Sequence, residues 1–180
     1  LFFKMKGFGD LYNSEKKRNK KNKFSNEQIN QAIQLHLKGN ISEAEKYYKQ
    51  LINQGCNNHT VFSNYGIILQ SQGKLKDAEN CFRQAIELNP NFDKAHLNLG
   101  GILQKLGNLK DAEISTNKAI ELNPNLFKAY LNLGCIFKDL GKLEKAEISY
   151  HKAIELNPNF VEAHLDLGDT FKDLGKFKEA

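Results

Sequence analysis

The chain has 180 residues, with 26 Lys/Arg against 21 Asp/Glu, a formal net charge of +5 and 40% hydrophobic residues. This is too apolar for a disordered polyelectrolyte, and no apolar run approaches the roughly 20 residues needed to cross a membrane. A basic body is excluded as well. Residues 1–24 hold eight Lys/Arg and two Asp/Glu, whereas the remainder holds 18 and 19, so the positive excess belongs to the start of the chain.

Residues 1–24 therefore read as a basic, disordered leader. Its opening "LFFKMKGFG" is too short and too interrupted for a secretory signal. Its charged run "EKKRNKKNK" could meet phosphate, but no aromatic residues are interleaved to stack on bases. Nucleic acid is not the expected partner.

After the leader the sequence is periodic. "AIELNPN" begins at Ala85, Ala119 and Ala153, 34 residues apart each time. At this period the chain divides into a degenerate copy over 25–58, repeats one to three over 59–92, 93–126 and 127–160, and a shortened fourth over 161–180. Repeats two and three share 22 of 34 residues, and Pro90, Pro124 and Pro158 fall at one phase. The degenerate copy has Cys56 at that phase.

Each repeat is expected to be a pair of helices. In repeat two, Ala95, Leu99, Ile102, Leu103 and Leu106 form an apolar stripe at helical spacing. Gly107 breaks the pattern and can take a positive φ. A second stripe follows through Leu109, Ala112, Ala119, Ile120 and Leu122. It must stop near Asn123, because proline disfavours helical geometry in the residue before it and has no N–H to donate. Gly100, Gly134 and Gly168 lie within first helices, where glycine costs about 1 kcal/mol relative to alanine. Close packing against the second helix is the expected offset. Phe82 and Tyr150 would fill the larger gaps, and Thr116 at the same phase should pack less well. One helix pair cannot bury two apolar faces, whereas stacked pairs can.

These residues resemble the tetratricopeptide repeat: the "LNLG" segments Leu97–Gly100 and Leu131–Gly134, the turn glycine, the alanine pair and the terminal proline. The large aromatic that often opens the first helix is replaced in part, the positions being Phe62, His96, Tyr130 and His164. The resemblance covers 25–180 and implies an all-α solenoid of stacked antiparallel helix hairpins, a right-handed superhelix. It further implies a concave groove, lined by the first helices, that binds a protein or peptide.

The outward positions of each first helix give the expected groove. They are Thr60, Asn64, Ile67 and Ser71; Lys94, Asn98, Gly101 and Lys105; Lys128, Asn132, Cys135 and Asp139; and Glu162, Asp166, Asp169 and Asp173. The groove would be neutral at one end, basic in the middle and acidic at the far end. Among these, Asn64, Lys94, Asn98, Lys105, Lys128, Asn132, Asp166 and Asp169 are the expected binding residues. Asn64, Asn98 and Asn132 would form a ladder whose amides, each both donor and acceptor, hold an extended backbone. The ladder is similar to that in the repeat arm of O-linked N-acetylglucosamine transferases, with Asp166 departing from it. The carboxylate clamp of chaperone-binding relatives is not matched. Ser63, Leu97, Leu131, Ile67, Gly101 and Cys135 occupy its positions with the wrong chemistry.

No catalytic constellation, metal-ligand spacing or cofactor motif occurs. His96 and His164 are expected to pack, and His36, His59 and His151 are scattered. Three cysteines without pairing spacing point to a reducing compartment, the cytoplasm. The last repeat stops at Ala180 with no polar cap, leaving Leu167, Phe171 and Leu174 expected to be uncovered and open to self-association. A longer natural chain is therefore expected. The favoured reading is an interaction scaffold; the alternative is the substrate-recruiting arm of a glycosyltransferase whose catalytic domain would lie downstream.

Overall fold

A computed structural model of the chain describes residues 27–176; the basic leader and residues 177–180 lie outside the described residues. Among the described residues the fold is all-α. Helix α1 covers 27–37, followed by α2 (Ile41–Asn53), α3 (His59–Ser71), α4 (Leu75–Leu88), α5 (Asp93–Lys105), α6 (Leu109–Leu122), α7 (Phe127–Asp139), α8 (Leu143–Leu156) and α9 (Val161–Asp173). The chain falls into two compact parts that divide between Asn57 and Asn58.

In the first part, α1 and α2 bury Ile29, Ala32, Ala44, Tyr48 and Leu51. His36 meets Tyr48 edge-on, with ring centroids 6.0 Å apart, and its burial lowers the imidazole pKa. Gln31 Nε2 donates to Tyr47 Oη at 2.8 Å.

The second part is a solenoid of hairpins. α3 packs on α4, α5 on α6 and α7 on α8, and each second helix also packs on the first helix that follows. Successive first helices α3, α5, α7 and α9 touch one another directly. They thus line one face, and α4, α6 and α8 line the other.

Local chemistry sets where the helices stop. Gly107 and Gly141 stand at φ +76° and +69°, a region closed to most side chains. This geometry turns the next N–H back on the helix. Asn108 donates to the Leu103 carbonyl at 2.9 Å, and Lys142 to that of Phe137 at 2.8 Å. The second helices α6 and α8 end at Leu122 and Leu156, where Asn123 and Asn157 turn extended ahead of proline. The start of α3 is capped by Asn58, whose Oδ1 accepts from the N–H groups of Thr60 and Val61 at 2.9 and 3.2 Å.

Glycine brings the helices of each hairpin together. A Cβ built at Gly66 would lie 2.9 Å from the Phe82 ring, and one at Gly134 would overlap the Tyr150 ring. At Gly100 it would overlap Thr116 Oγ1 and also reach the α6 backbone, with Ala112 O and Thr116 N both at 3.3 Å. Repeat two therefore differs from expectation. Thr116 does not leave a poorly filled gap; the hairpin closes over it, and Thr116 is fully buried. The cost is polar, since Thr116 Oγ1 is left without a hydrogen-bond partner.

The last described helix also corrects an expectation. Leu167 and Phe171 are 7% and 8% exposed, because they point back at Leu133, Phe137 and Tyr150. The uncovered apolar residues of α9 are Val161 and Leu165, at 63% and 64%.

Candidate partner-binding face

The face formed by α3, α5, α7 and α9 carries the outward positions read from the sequence. Lys94, Lys105, Lys128 and Asp169 are exposed, and Asn64, Asn98, Asn132 and Asp166 are half-buried. The difference follows from position on the helix. Asn132 and Asp166 sit where neighbouring first helices approach, whereas the lysines occupy the helix ends.

Contacts between neighbouring helices tie this row together. A Cβ at Gly101 would lie 3.4 Å from Asn132 Nδ2, so the small residue on α5 makes room for the amide on α7. One repeat later, Cys135 takes the glycine's place and Asp166 the asparagine's. The Cys135 thiol donates to Asp166 Oδ2 at 3.5 Å. Burial pushes the Cys135 thiol up to about 11, so it remains a neutral donor near pH 7. The ladder thus changes chemistry at its fourth position, from amide beside glycine to carboxylate beside thiol. The Tyr150 hydroxyl also lies close to this thiol, buried and without a well-formed hydrogen bond. Burial raises its pKa as well.

The acidic end is less bare than a residue list suggests. Asp139 Oδ2 accepts from Gln104 Nε2 at 2.7 Å, and Lys138 Nζ lies 3.6 Å from Asp173 Oδ2. Asp169 pairs with Lys172 at 3.2 Å. Such exposed pairs are worth about 0–1 kcal/mol and exchange readily with an incoming charge. Gln104 and Lys138 were not among the expected face residues. Their bonds span 35 residues, one period plus one, and that offset is the only trace of them in the sequence.

The histidines at the aromatic position have a structural job. His96 Nε2 lies 2.9 Å from the Pro90 carbonyl and His164 Nε2 2.8 Å from that of Pro158. A carbonyl only accepts, so Nε2 carries the proton in both rings. Among the described residues no group of three or more His, Cys, Asp or Glu is placed to hold a metal ion. No described helix is long and apolar enough to cross a membrane. The polar groups of this face are suited to hydrogen bonding and charge pairing along a line.

Comparisons with known proteins fit this geometry. Residues 30–129 match the family described as Cilia and flagella-associated protein 70 middle TPR-like domain, and residues 127–160 match the tetratricopeptide repeat family. No curated protein matches the chain. Among solved structures, MamA 41-end from Desulfovibrio magneticus RS-1 is 25% identical with a TM-score of 0.76, covering 86% of this chain and 87% of that one. The first TPR of Spaghetti (RPAP3), bound to the HSP90 peptide SRMEEVD, is 29% identical with a TM-score of 0.64, over 66% of this chain and 94% of that one. YrrB, a TPR protein with an unusual peptide-binding site, shares the fold at 22% identity and a TM-score of 0.70, over 84% and 78% of the two chains. The chain belongs to the tetratricopeptide repeat proteins and, over more than half its length, to the family of the Cilia and flagella-associated protein 70 middle TPR-like domain.

Proposed function

We propose that the protein is an interaction scaffold that holds an extended protein segment along the face of α3, α5, α7 and α9. The observation that carries this reading is the row of half-buried polar side chains, Asn64, Asn98, Asn132 and Asp166, at one phase of four successive first helices. Half-burial fixes the side chains while leaving polar atoms at the surface, so little ordering entropy remains to be lost on binding. Lys94, Lys105 and Lys128 then face acidic groups of the segment, and Asp166 and Asp169 face basic ones. The HSP90 peptide held by the RPAP3 repeat supports the ligand class. It does not extend to that peptide, because the clamp positions here carry other residues.

Cys56, Cys81 and Cys135 are not bridged to one another, which suits a reducing compartment such as the cytoplasm. The recruiting-arm alternative rests on the asparagine series alone, and the comparisons add no support to it.

The test uses three short extended peptides: acidic at one end and basic at the other, the same charges reversed in order, and a neutral control. Binding is followed by amide chemical shifts. The expected result is preference for one charge order, with shifts on α5, α7 and α9. Asn98→Ala and Asn132→Ala should each weaken it about three- to ten-fold, the loss of one or two net hydrogen bonds. Equal binding of all three peptides, or shifts confined to α4, α6 and α8, would contradict the proposal.

A further inference from the structure

The opposite face has a feature that the binding row does not use. Two open clefts lie at the same phase of repeats two and three, with volumes of about 840 and 670 Å³. The first is floored by Leu99 and Leu103 and the second by Leu133 and Phe137. An isoleucine stands at the edge of each, Ile114 on α6 and Ile148 on α8, and each is 69% exposed. Burying two such side chains fully is worth about 1.5–3 kcal/mol apiece, and here that gain is unused.

At one phase that both rims share, the charge is opposite in the two clefts. Asp111 borders the first and Lys145 the second, 34 residues later and both exposed. Asp111 Oδ2 accepts from Asn108 Nδ2 at 2.8 Å, and the Lys145 ammonium lies 5.7 Å from the centre of the Phe137 ring. Arg83 and Glu87 border the first cleft alone, and one charge pair repeats in both. Lys118 pairs with Glu121 and Lys152 with Glu155, each at 2.7 Å.

We propose that this face is a self-complementary surface for a second copy of the chain, with α6 of one copy set against α8 of the other about a two-fold axis parallel to these helices. A two-fold interface requires that a patch match its own image. Exchanging α6 with α8 places Ile114 on the second copy's Ile148, and Asp111 opposite its Lys145. Both pairings then occur twice. Had the rim carried the same charge in both repeats, this axis would oppose like charges. Lys118 would approach the second copy's Lys152, but each brings its own glutamate, so the two pairs form an alternating cluster. The face of α3, α5, α7 and α9 stays open in such a dimer, so the inference stands apart from the proposed function.

Sedimentation equilibrium of the full chain over a dilution series tests it. The expected result is a reversible monomer–dimer equilibrium. Asp111→Lys alone and Lys145→Asp alone should each weaken the dimer about ten-fold or more, because every substitution enters the interface twice. The double variant Asp111→Lys/Lys145→Asp should restore affinity to within a few-fold. Ile114→Glu should abolish dimerisation. Circular dichroism controls for folding, and lysine at the phase of Asp111 is already accommodated in repeat three. A monomer at every concentration would overturn the proposal. So would a dimer that ignores these substitutions and is broken by Leu165→Glu, or a double variant no better than the worse single one.

Discussion

Repeats two and three share most of their residues, yet they close their hairpins by different means. In repeat three, Gly134 receives the Tyr150 ring, and the following junction is clasped by Phe127 and Phe160, edge to face at 4.8 Å. Repeat one has the same clasp geometry between His59 and Phe92, also at 4.8 Å. In repeat two, Gly100 receives only Thr116, and the corresponding junction is polar: Asn123 Nδ2 donates to Asp93 Oδ2 at 2.9 Å. Ser115 adds a bond from its hydroxyl to the His96 carbonyl at 3.1 Å. The backbone answers a smaller side chain by moving closer, so the solenoid tolerates either solution. The glycine is the constant of the framework; what it meets is the variable.

This contrast can be broken most severely by emptying repeat three. Tyr150→Thr gives it the residue of repeat two, and we expect a loss of about 3–5 kcal/mol, as for other large core truncations. A much smaller loss in urea unfolding would mean that α7 and α8 close as α5 and α6 do. Next come the glycines. Gly134→Ala and Gly100→Ala should each cost about 1–3 kcal/mol through overpacking. Shrinking the partner should relieve the first, with Tyr150→Leu, and the second less completely, with Thr116→Ala, because at Gly100 the α6 backbone remains at 3.3 Å. Double-mutant cycles would show strong coupling in repeat three and a smaller but measurable coupling between Gly100→Ala and Thr116→Ala.

Smaller effects sharpen the comparison. Thr116→Val keeps the shape and removes the unpartnered hydroxyl, so it should stabilise by about 1 kcal/mol. A loss of stability would show that the hydroxyl is satisfied in solution. An effect absent at neutral pH concerns Cys135, which stands where repeat two has Gly101. Its thiol is raised from an ordinary value of 9.0 to about 11. The folded state therefore holds this proton more tightly than the unfolded one, and stability should fall as pH rises from about 9 towards 11. Cys135→Ala should remove about half of that fall, because burial pushes the Cys81 thiol up to about 11 as well. Near pH 8 the thiol should alkylate about a hundred-fold more slowly than an ordinary one; an ordinary rate would place it in solvent.

The period made the helices legible. A proline at one phase and a turn glycine at another mark the stops, and the apolar stripes give the buried faces. Asn98, Asn132 and the lysines could be placed on one side because a helix surface is determined by spacing alone. The closure of repeat two was not legible, since it depends on how far a backbone moves to meet a threonine. The bonds from Gln104 and Lys138 were hidden because they link helices one period apart, and single-helix spacing says nothing about such pairs. The burial of Leu167 and Phe171 was misread for a related reason: the stripe shows which residues are apolar but not whether they point to the hairpin before or after. Ile114 and Ile148 lay off the stripe, and only the fold shows that they flank open clefts.

The central claim is that the first helices, not the second, hold a partner. Amide hydrogen exchange of the chain, with and without the charge-ordered peptide, measures it most directly. The account predicts added protection in α5, α7 and α9 around Asn98, Asn132 and Asp166, with α4, α6 and α8 unchanged. Protection appearing instead along α6 and α8 would contradict it and would place the partner on the face of Ile114 and Ile148.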